Sequence, residues 1–294
     1  MKAAPFEYSR VADIDEACGL LAGDENARVI AGGQTLVPMM AMRLARPTRL
    51  IDINRIAALS YVRAEADTIA IGATTRQCVV ERDQLIAAKL PLLARAIPFI
   101  GHAATRARGT VGGSLANADP AAELPLIAIT LDAILSARAG GKTIDIPARD
   151  FFIGPMLTAL PASAVLTGVR FPVWQGKVGI GFHEVNARRS DFAFVSAAAQ
   201  VELGEDGKCK RIAIGVGAVT DFPMRLERAE QQLTGSALDP AKVKAAVIEA
   251  LADVDALADL HASAEYRHRV AGNLAARAVA DALSHAQGKK SYAH

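Results

Sequence analysis

The amino-acid sequence predicts an α+β protein in two units, and three observations carry that expectation. Strand and helix patterns alternate through the first half, which suggests an α/β arrangement there. Beyond residues 172–177, three strand patterns follow one another and give way to Ala-rich helical ones, as in a small α+β unit. The 294 residues are 51% apolar and only 22% charged, so a substantial core can form and wholesale disorder is excluded.

Residues 11–21 carry Val11, Ile14, Ala17, Cys18 and Leu21 at helical spacing, with Asp13 and Asp15 near the start. Residues 28–31 form a short β-type run ending in Gly32-Gly33, and 35–44 look helical, with Pro38 near the first turn. Residues 50–53 and 68–71 are strand-like. A longer helical stretch, 75–100, is broken by Pro91 and Pro98. Residues 109–120 dissolve into Gly, Ser, Thr, Asn and Asp, which is loop chemistry. A buried helix is expected at 121–131, followed by a hairpin whose strands, 133–137 and 143–146, flank Arg138-Ala139-Gly140-Gly141-Lys142. Residues 165–172 make a further strand.

In the second unit, strands are expected at 179–185, 193–203 and 211–218. The turn Gly204-Glu205-Asp206-Gly207 joins the last two in an antiparallel meander. Asp239 before Pro240 marks the N-cap of a helix through 243–251, and 264–285 forms the last long helix. Residues from Gln287 to His294 read as a frayed tail. No internal repeat is visible.

Charge and cysteine usage exclude several function classes. Lys plus Arg is 33 against 31 for Asp plus Glu, a formal charge of +2, without the clustered basic surplus of a nucleic-acid binder. No apolar run reaches the ~18 residues of a membrane span, and the N-terminal residues show no continuous apolar signal region. A cytoplasmic protein is expected. Cys18, Cys78 and Cys209 are far apart and form no C-x-x-C pair. They are fewer than the roughly four thiolates of a [2Fe–2S] cluster and read as small buried hydrophobes.

The sequence contains no H-E-x-x-H, no G-x-S-x-G and no G-x-G-x-x-G after a strand. Gly215-Val216-Gly217 lacks a third glycine and reads as packed strand, while Gly141-Lys142-Thr143 lies in the hairpin, where a P-loop would have to open a helix. Two segments are stronger. Ala31-Gly32-Gly33-Gln34-Thr35 joins a strand to a helix, and Thr110-Val111-Gly112-Gly113-Ser114 precedes Asn117-Ala118-Asp119-Pro120. Glycine pairs let a backbone approach a ligand, and successive N–H groups then point at anionic oxygens. A single diglycine usually marks an ordinary turn. Both together, each flanked by hydroxyl residues, point to phosphate binding.

The stretches AGGQTLVPMMAMRLARPTRLIDI, IGATTRQ and RGTVGGSLANADPAAELP resemble the FAD-binding medium subunit of molybdenum hydroxylases, the xanthine dehydrogenase and carbon monoxide dehydrogenase flavoprotein family. The likeness runs from Pro5 to about His285. It implies a two-subdomain FAD-binding fold of the vanillyl-alcohol-oxidase (PCMH) type, followed by a C-terminal antiparallel sheet-plus-helices domain. The implied boundaries are 1–175, 176–288 and a tail at 289–294. It further implies that Val29, Ile30, Ala31, Gly32, Gly33, Gln34, Thr35 and Leu36 wrap the FAD pyrophosphate. Thr110, Val111, Gly112, Gly113 and Ser114 match a second pyrophosphate segment. Ile100 and Gly101 match a stretch packed on the cofactor. Asn117 and Asp119 follow on the next loop, Glu123 falls where an acidic residue meets ribose hydroxyls, and Leu166 matches a backbone contact near adenine.

Two positions near the flavin ring depart from the family pattern. His183 stands where lysine is frequent, and Phe192 replaces the tyrosine of some relatives. His183 reads equally as a strand histidine with a satisfied hydrogen bond, and Phe192 as an ordinary core aromatic. Arg106 and Arg108, like Arg188 and Arg189, read as a solvated face, or as a docking surface for a partner subunit or a nicotinamide phosphate. Met39, Met40 and Met42 read as helix packing, and His261 and His268 lack a third metal ligand.

The resemblance implies an oxidoreductase subunit that is inactive on organic substrate alone. FAD would be carried here, two [2Fe–2S] clusters on a small subunit, and molybdopterin-bound molybdenum on a large one, in a dimer of heterotrimers. Two alternatives are a self-sufficient FAD-dependent oxidase or reductase of the same superfamily and a scaffold that has lost FAD.

Overall fold

The computed structural model describes residues 2–289. Its first layer is a three-stranded parallel sheet in the order Glu7–Arg10, Arg49–Asp52, Arg28–Ile30. Parallel neighbours need crossover connections, and the helices Ile14–Ala22 and Leu36–Ala41 lie on them. Asp13 caps the first helix by accepting the amides of Asp15 (2.8 Å) and Glu16 (3.2 Å). That helix buries Ala17, Cys18 and Leu21 in one cluster with Ile51, Ile53 and Leu59.

A second sheet is antiparallel throughout, in the order Val62–Glu65, Thr68–Gly72, Val165–Pro172, Ile134–Ala139, Lys142–Pro147. The α/β expectation therefore holds for the first sheet and not for this one. Tight turns decide the difference. Gly140 and Gly141 both take positive φ (53° and 75°), which reverses the chain in two residues, and Ala66 at φ 48° helps turn the other hairpin.

Short helices cover this sheet. The helical stretch expected to break at Pro91 and Pro98 is divided into Gln77–Arg82, Gln84–Lys89 and Pro91–Ala96, with a 3-10 turn at Ile97–Phe99. One break is at Asp83, whose carboxylate accepts the amides of Leu85 (2.8 Å) and Ile86 (3.0 Å). The other is at Leu90, pushed out of helical geometry by the following proline. Pro91 thus starts a helix. The expected loop at 109–120 is also corrected, because it contains the helix Val111–Asn117, capped by Thr110 and closed by left-handed Ala118 (φ 50°). Glycine is a poor helix former, but here the first turn is anchored by hydrogen bonds to a neighbouring strand end. Glu123–Thr130 follows, buried along nearly its whole length.

The last sheet is an antiparallel meander of Lys177–Val185, Val195–Leu203, Cys209–Gly217 and the short Met224–Arg225. The helices Pro240–Leu251 and Ala264–Ala286, together with an unforeseen one at Glu227–Leu233, pack on one of its faces. Its other face meets the earlier elements. Phe182 and Ala198 belong to one buried cluster with Leu93, Leu126 and Ile127. Phe182 stacks at a tilt on Phe99 with 4.9 Å between ring centroids, and Arg225 pairs with Asp132 across the seam.

Residues 287–289, expected to fray, remain tied, with the Lys289 amide donating to the Ser284 carbonyl at 3.0 Å. The rest of the expected tail, 290–294, lies outside the described residues. Among the described residues no helix is long and apolar enough to cross a membrane.

Candidate cofactor site

The carboxyl ends of the parallel strands open onto a cleft of about 540 Å³. Ligands favour that end of parallel strands, and the volume suits a small-molecule or cofactor site. On one wall, the strand Arg28–Ile30 ends and the chain turns through Gly32 and Gly33 into Leu36–Ala41. The backbone amides of Gly32, Gly33, Gln34, Thr35 and Leu36 have no hydrogen-bond partner among the described residues. Gly33 is left-handed at φ 69°. Successive free amides around such a residue form a concave site for anionic oxygens.

The opposite wall starts with Thr110 and differs in kind. The Val111 amide donates to the Thr75 carbonyl (3.0 Å) and the Gly112 amide to the Ala73 carbonyl (2.9 Å). The Gly113 amide donates to Thr110 Oγ1 (3.0 Å) and the Ser114 amide to the Thr110 carbonyl (3.2 Å). The expectation that both diglycine segments present free amides is therefore corrected for the second. Gly112 serves close packing: a Cβ there would lie 2.5 Å from the Ala73 Cβ. This wall offers hydroxyls, from Thr110 and Ser114, and the bare surface of Gly113.

The two segments converge. A Cβ on Gly32 would lie 2.6 Å from the Arg108 carbonyl oxygen and 2.9 Å from the Gly109 Cα. A polar chain unnoticed in the sequence ties the walls from behind. Asn54 Nδ2 donates to the Ala31 carbonyl (2.8 Å) and to Asp52 Oδ1 (2.6 Å). Arg76 donates to Asn54 Oδ1 (2.7 Å) and to the Arg108 carbonyl. Asp52 is buried and also accepts from Tyr8, Arg10 and the Asn54 amide. Burial works to raise its carboxyl, but the hydrogen bonds from Tyr8, Asn54 and Arg10 hold it below its ordinary value. Two signals were available: Asn54 follows a parallel strand end, and Arg76 lies within IGATTRQ.

All the expected site residues line the cleft except Val111 and His183. Val111 is fully buried in the core below the helix start. Strand alternation explains His183. Gly179 and Gly181 lie against the backbone of Ala282 and Ala278, so His183 faces the same last helix, where Nε2 bonds Asp281 at 2.7 Å. Burial lowers its pKa, against the opposing pull of Asp281. The next side chain, Glu184, turns the other way. Phe192, read as a core aromatic, is instead 69% exposed at the cleft mouth. Ser190, left-handed at φ 72°, lines the cleft beside it.

Arg106 is no solvated charge. It grips Glu81 at 2.8 and 2.9 Å and donates to the carbonyls of Ile100 (3.1 Å) and Gly101 (2.9 Å), fixing that part of the lining. Of the methionines, Met40 is packed while Met42 is largely exposed. His261 stacks on Phe194, and His268 bonds the Leu251 carbonyl.

Arg28 is the cation of the described lining, against the carboxyls of Asp119 and Glu123. Loss of water pushes half-buried Glu123 up to about 7, with the Asp119 charge adding to the effect. Burial also raises Asp119. Glu184 is pushed up to about 8 by burial and then by Glu123. Its Oε1 accepts from Asn186 at 2.8 Å, and its Oε2 has no partner among the described residues. An anion entering this cleft would thus be held chiefly by amides and hydroxyls. The nest, the close contact that only glycine permits at position 32 and the cleft volume fit a dinucleotide with a central diphosphate.

Residues 4–174 match the family described as the FAD binding domain in molybdopterin dehydrogenase. Residues 181–282 match the CO dehydrogenase flavoprotein C-terminal domain. The chain is 36% identical to the 6-hydroxypseudooxynicotine dehydrogenase complex subunit alpha of Paenarthrobacter nicotinovorans, over 99% of this chain and 98% of that one. It is 34% identical to the carbon monoxide dehydrogenase medium chain of Afipia carboxidovorans, over 96% and 98%. Among solved structures, carbon monoxide dehydrogenase from Hydrogenophaga pseudoflava superposes with a TM-score of 0.94 at 32% identity, covering 97% of this chain and 99% of that one.

Proposed function

The chain belongs to the FAD-binding medium subunits of molybdenum hydroxylases, and from that membership we propose that its task is electron transfer between partner subunits and an external acceptor. It is an oxidoreductase subunit with an FAD-binding domain. In the proposed relay, a large molybdopterin subunit oxidises the organic substrate and a small subunit with two [2Fe–2S] clusters delivers electrons singly to this chain. The assembly is a dimer of heterotrimers in the cytoplasm. The supply of three cysteines, below the roughly four that one cluster takes, supports placing the clusters on another polypeptide.

FAD, when bound, supplies the redox chemistry; this chain supplies binding, orientation and local electrostatics. The amides from Gly32 to Leu36 hold diphosphate oxygens, and Thr110 and Ser114 complete the grip from the facing wall. Glu123 and Asp119 bond hydroxyls of the nucleotide, Leu166 lines the adenine end, and Phe192 shields the mouth from water. No residue here need act as a general acid or base.

The observation that carries this reading is the run of five amides, unengaged among the described residues, that faces a hydroxyl-bearing helix start. Purification of the chain with its partners should yield a complex that releases one FAD per copy on denaturation. Dye-linked oxidation of organic substrate should require the partners. A complex without extractable FAD would overturn the cofactor assignment, and turnover by the chain alone would overturn the relay.

A further inference from the structure

The geometry points to Arg76, acting through Asn54, as a positioning residue that sets the spacing of the two cofactor walls and thereby the affinity for the diphosphate. The inference rests on the cofactor reading above. Arg76 does not line the cleft. Its guanidinium reaches in two directions, to Asn54 Oδ1 at 2.7 Å and to the carbonyl of Arg108. Each target belongs to one wall. Asn54 Nδ2 donates to the Ala31 carbonyl at 2.8 Å, immediately before the free amides, and Arg108 immediately precedes Gly109 and Thr110.

The chain is directional. Both Nδ2 hydrogens of Asn54 are taken, by Ala31 and by Asp52, which leaves Oδ1 as the acceptor for Arg76. Asp52 therefore fixes which way the amide faces. A planar fork with several fixed donors can bridge two acceptors in this way, whereas a lysine ammonium on a flexible stem is a single point charge. The walls already touch where Gly32 meets Arg108. The Arg76 bridge restrains them from separating, and at that separation the hydroxyls of one wall and the amides of the other address the same diphosphate.

The test uses the full chain as apoprotein, titrated with FAD by fluorescence quenching and with ADP by competition, for the unsubstituted chain and for Arg76→Gln, Arg76→Lys and Asn54→Leu. Arg76→Gln should weaken FAD and ADP in parallel by roughly 10- to 100-fold, the range for hydrogen bonds to a charged group. Arg76→Lys should recover only part of that loss. Affinity for riboflavin, which lacks the diphosphate, should stay within about twofold, a selectivity that a general loosening of the fold would not give. Asn54→Leu should follow Arg76→Gln, and the double variant should add little to either. Circular dichroism and thermal midpoints identify any variant that fails to fold, and Arg76→Lys provides the decisive comparison in that event. FAD affinities for the Arg76 variants within twofold of the unsubstituted chain would overturn the positioning role and leave the cofactor reading standing. Failure of the unsubstituted chain to bind FAD would overturn the cofactor reading itself.

Discussion

From Gly32 to Leu36 five successive amides have no partner among the described residues, whereas from Val111 to Ser114 all four are engaged by Ala73, Thr75 and Thr110. Both regions contain a diglycine beside hydroxyl residues, and they face each other across one cleft. In the first, glycine permits a turn whose N–H groups remain available to a ligand. In the second, glycine lets a helix start lie directly on a strand end. In the proposed reading one wall receives the anion, and the other is fixed in place with its hydroxyls on the cleft.

The largest break in this comparison should come from Gly112→Ala. The added Cβ would meet the Cβ, Cα and carbonyl oxygen of Ala73 at 2.5 to 2.8 Å, and backbone atoms have little room to yield. A stability loss of roughly 3 kcal/mol in denaturant titration is expected, the upper range for overpacking. Gly32→Ala should act mainly on the ligand. Its Cβ would press on Arg108 and Gly109, parting the walls, and FAD affinity should fall roughly tenfold, about 1.4 kcal/mol, with a smaller loss of stability than Gly112→Ala. Thr110→Ala removes the cap on the Gly113 amide and should cost about 1 kcal/mol of stability, with less effect on flavin binding than Gly32→Ala.

The smallest effect is one of pH. Glu123 stands in the cleft with its carboxyl raised to about 7 by burial, so it is neutral below that pH and negative above it. A new negative charge opposes a bound diphosphate. FAD affinity should therefore fall roughly threefold between about pH 6 and pH 8, and Glu123→Gln should flatten the profile. An unchanged slope in that variant would show that the titrating group lies elsewhere.

Much of this arrangement was legible in the sequence. The strand 165–172, the meander with its Gly204–Gly207 turn and the Asp239 cap all have strong local signals, in alternation, turn chemistry and capping residues. The convergence of the two diglycine segments was legible through the family resemblance. What each segment does with its amides was not, because the partners of Val111 and Gly112 come from Ala73 and Thr75, a contact that only the tertiary fold creates. The helix at Val111–Asn117 escaped for the same reason, since two glycines argue against a helix until packing overrides propensity. Strand phase explains His183: sequence alone located both the strand and the last helix, but not that this helix claims the His183 face and leaves Glu184 toward the earlier elements. Glu7–Arg10 and Val62–Glu65 are short and mostly exposed, and so lack the apolar alternation by which strands are recognised.

The shared cluster of Phe182 and Ala198 with Leu93, Leu126 and Ile127 has a consequence for how the molecule comes apart. Because these side chains are as buried as those of either interior, nicking the exposed Gly176 region with a protease should leave two fragments that still migrate together and melt in a single step. The polypeptide is then a clasp with one hydrophobic interior, and separation of its halves should require denaturant.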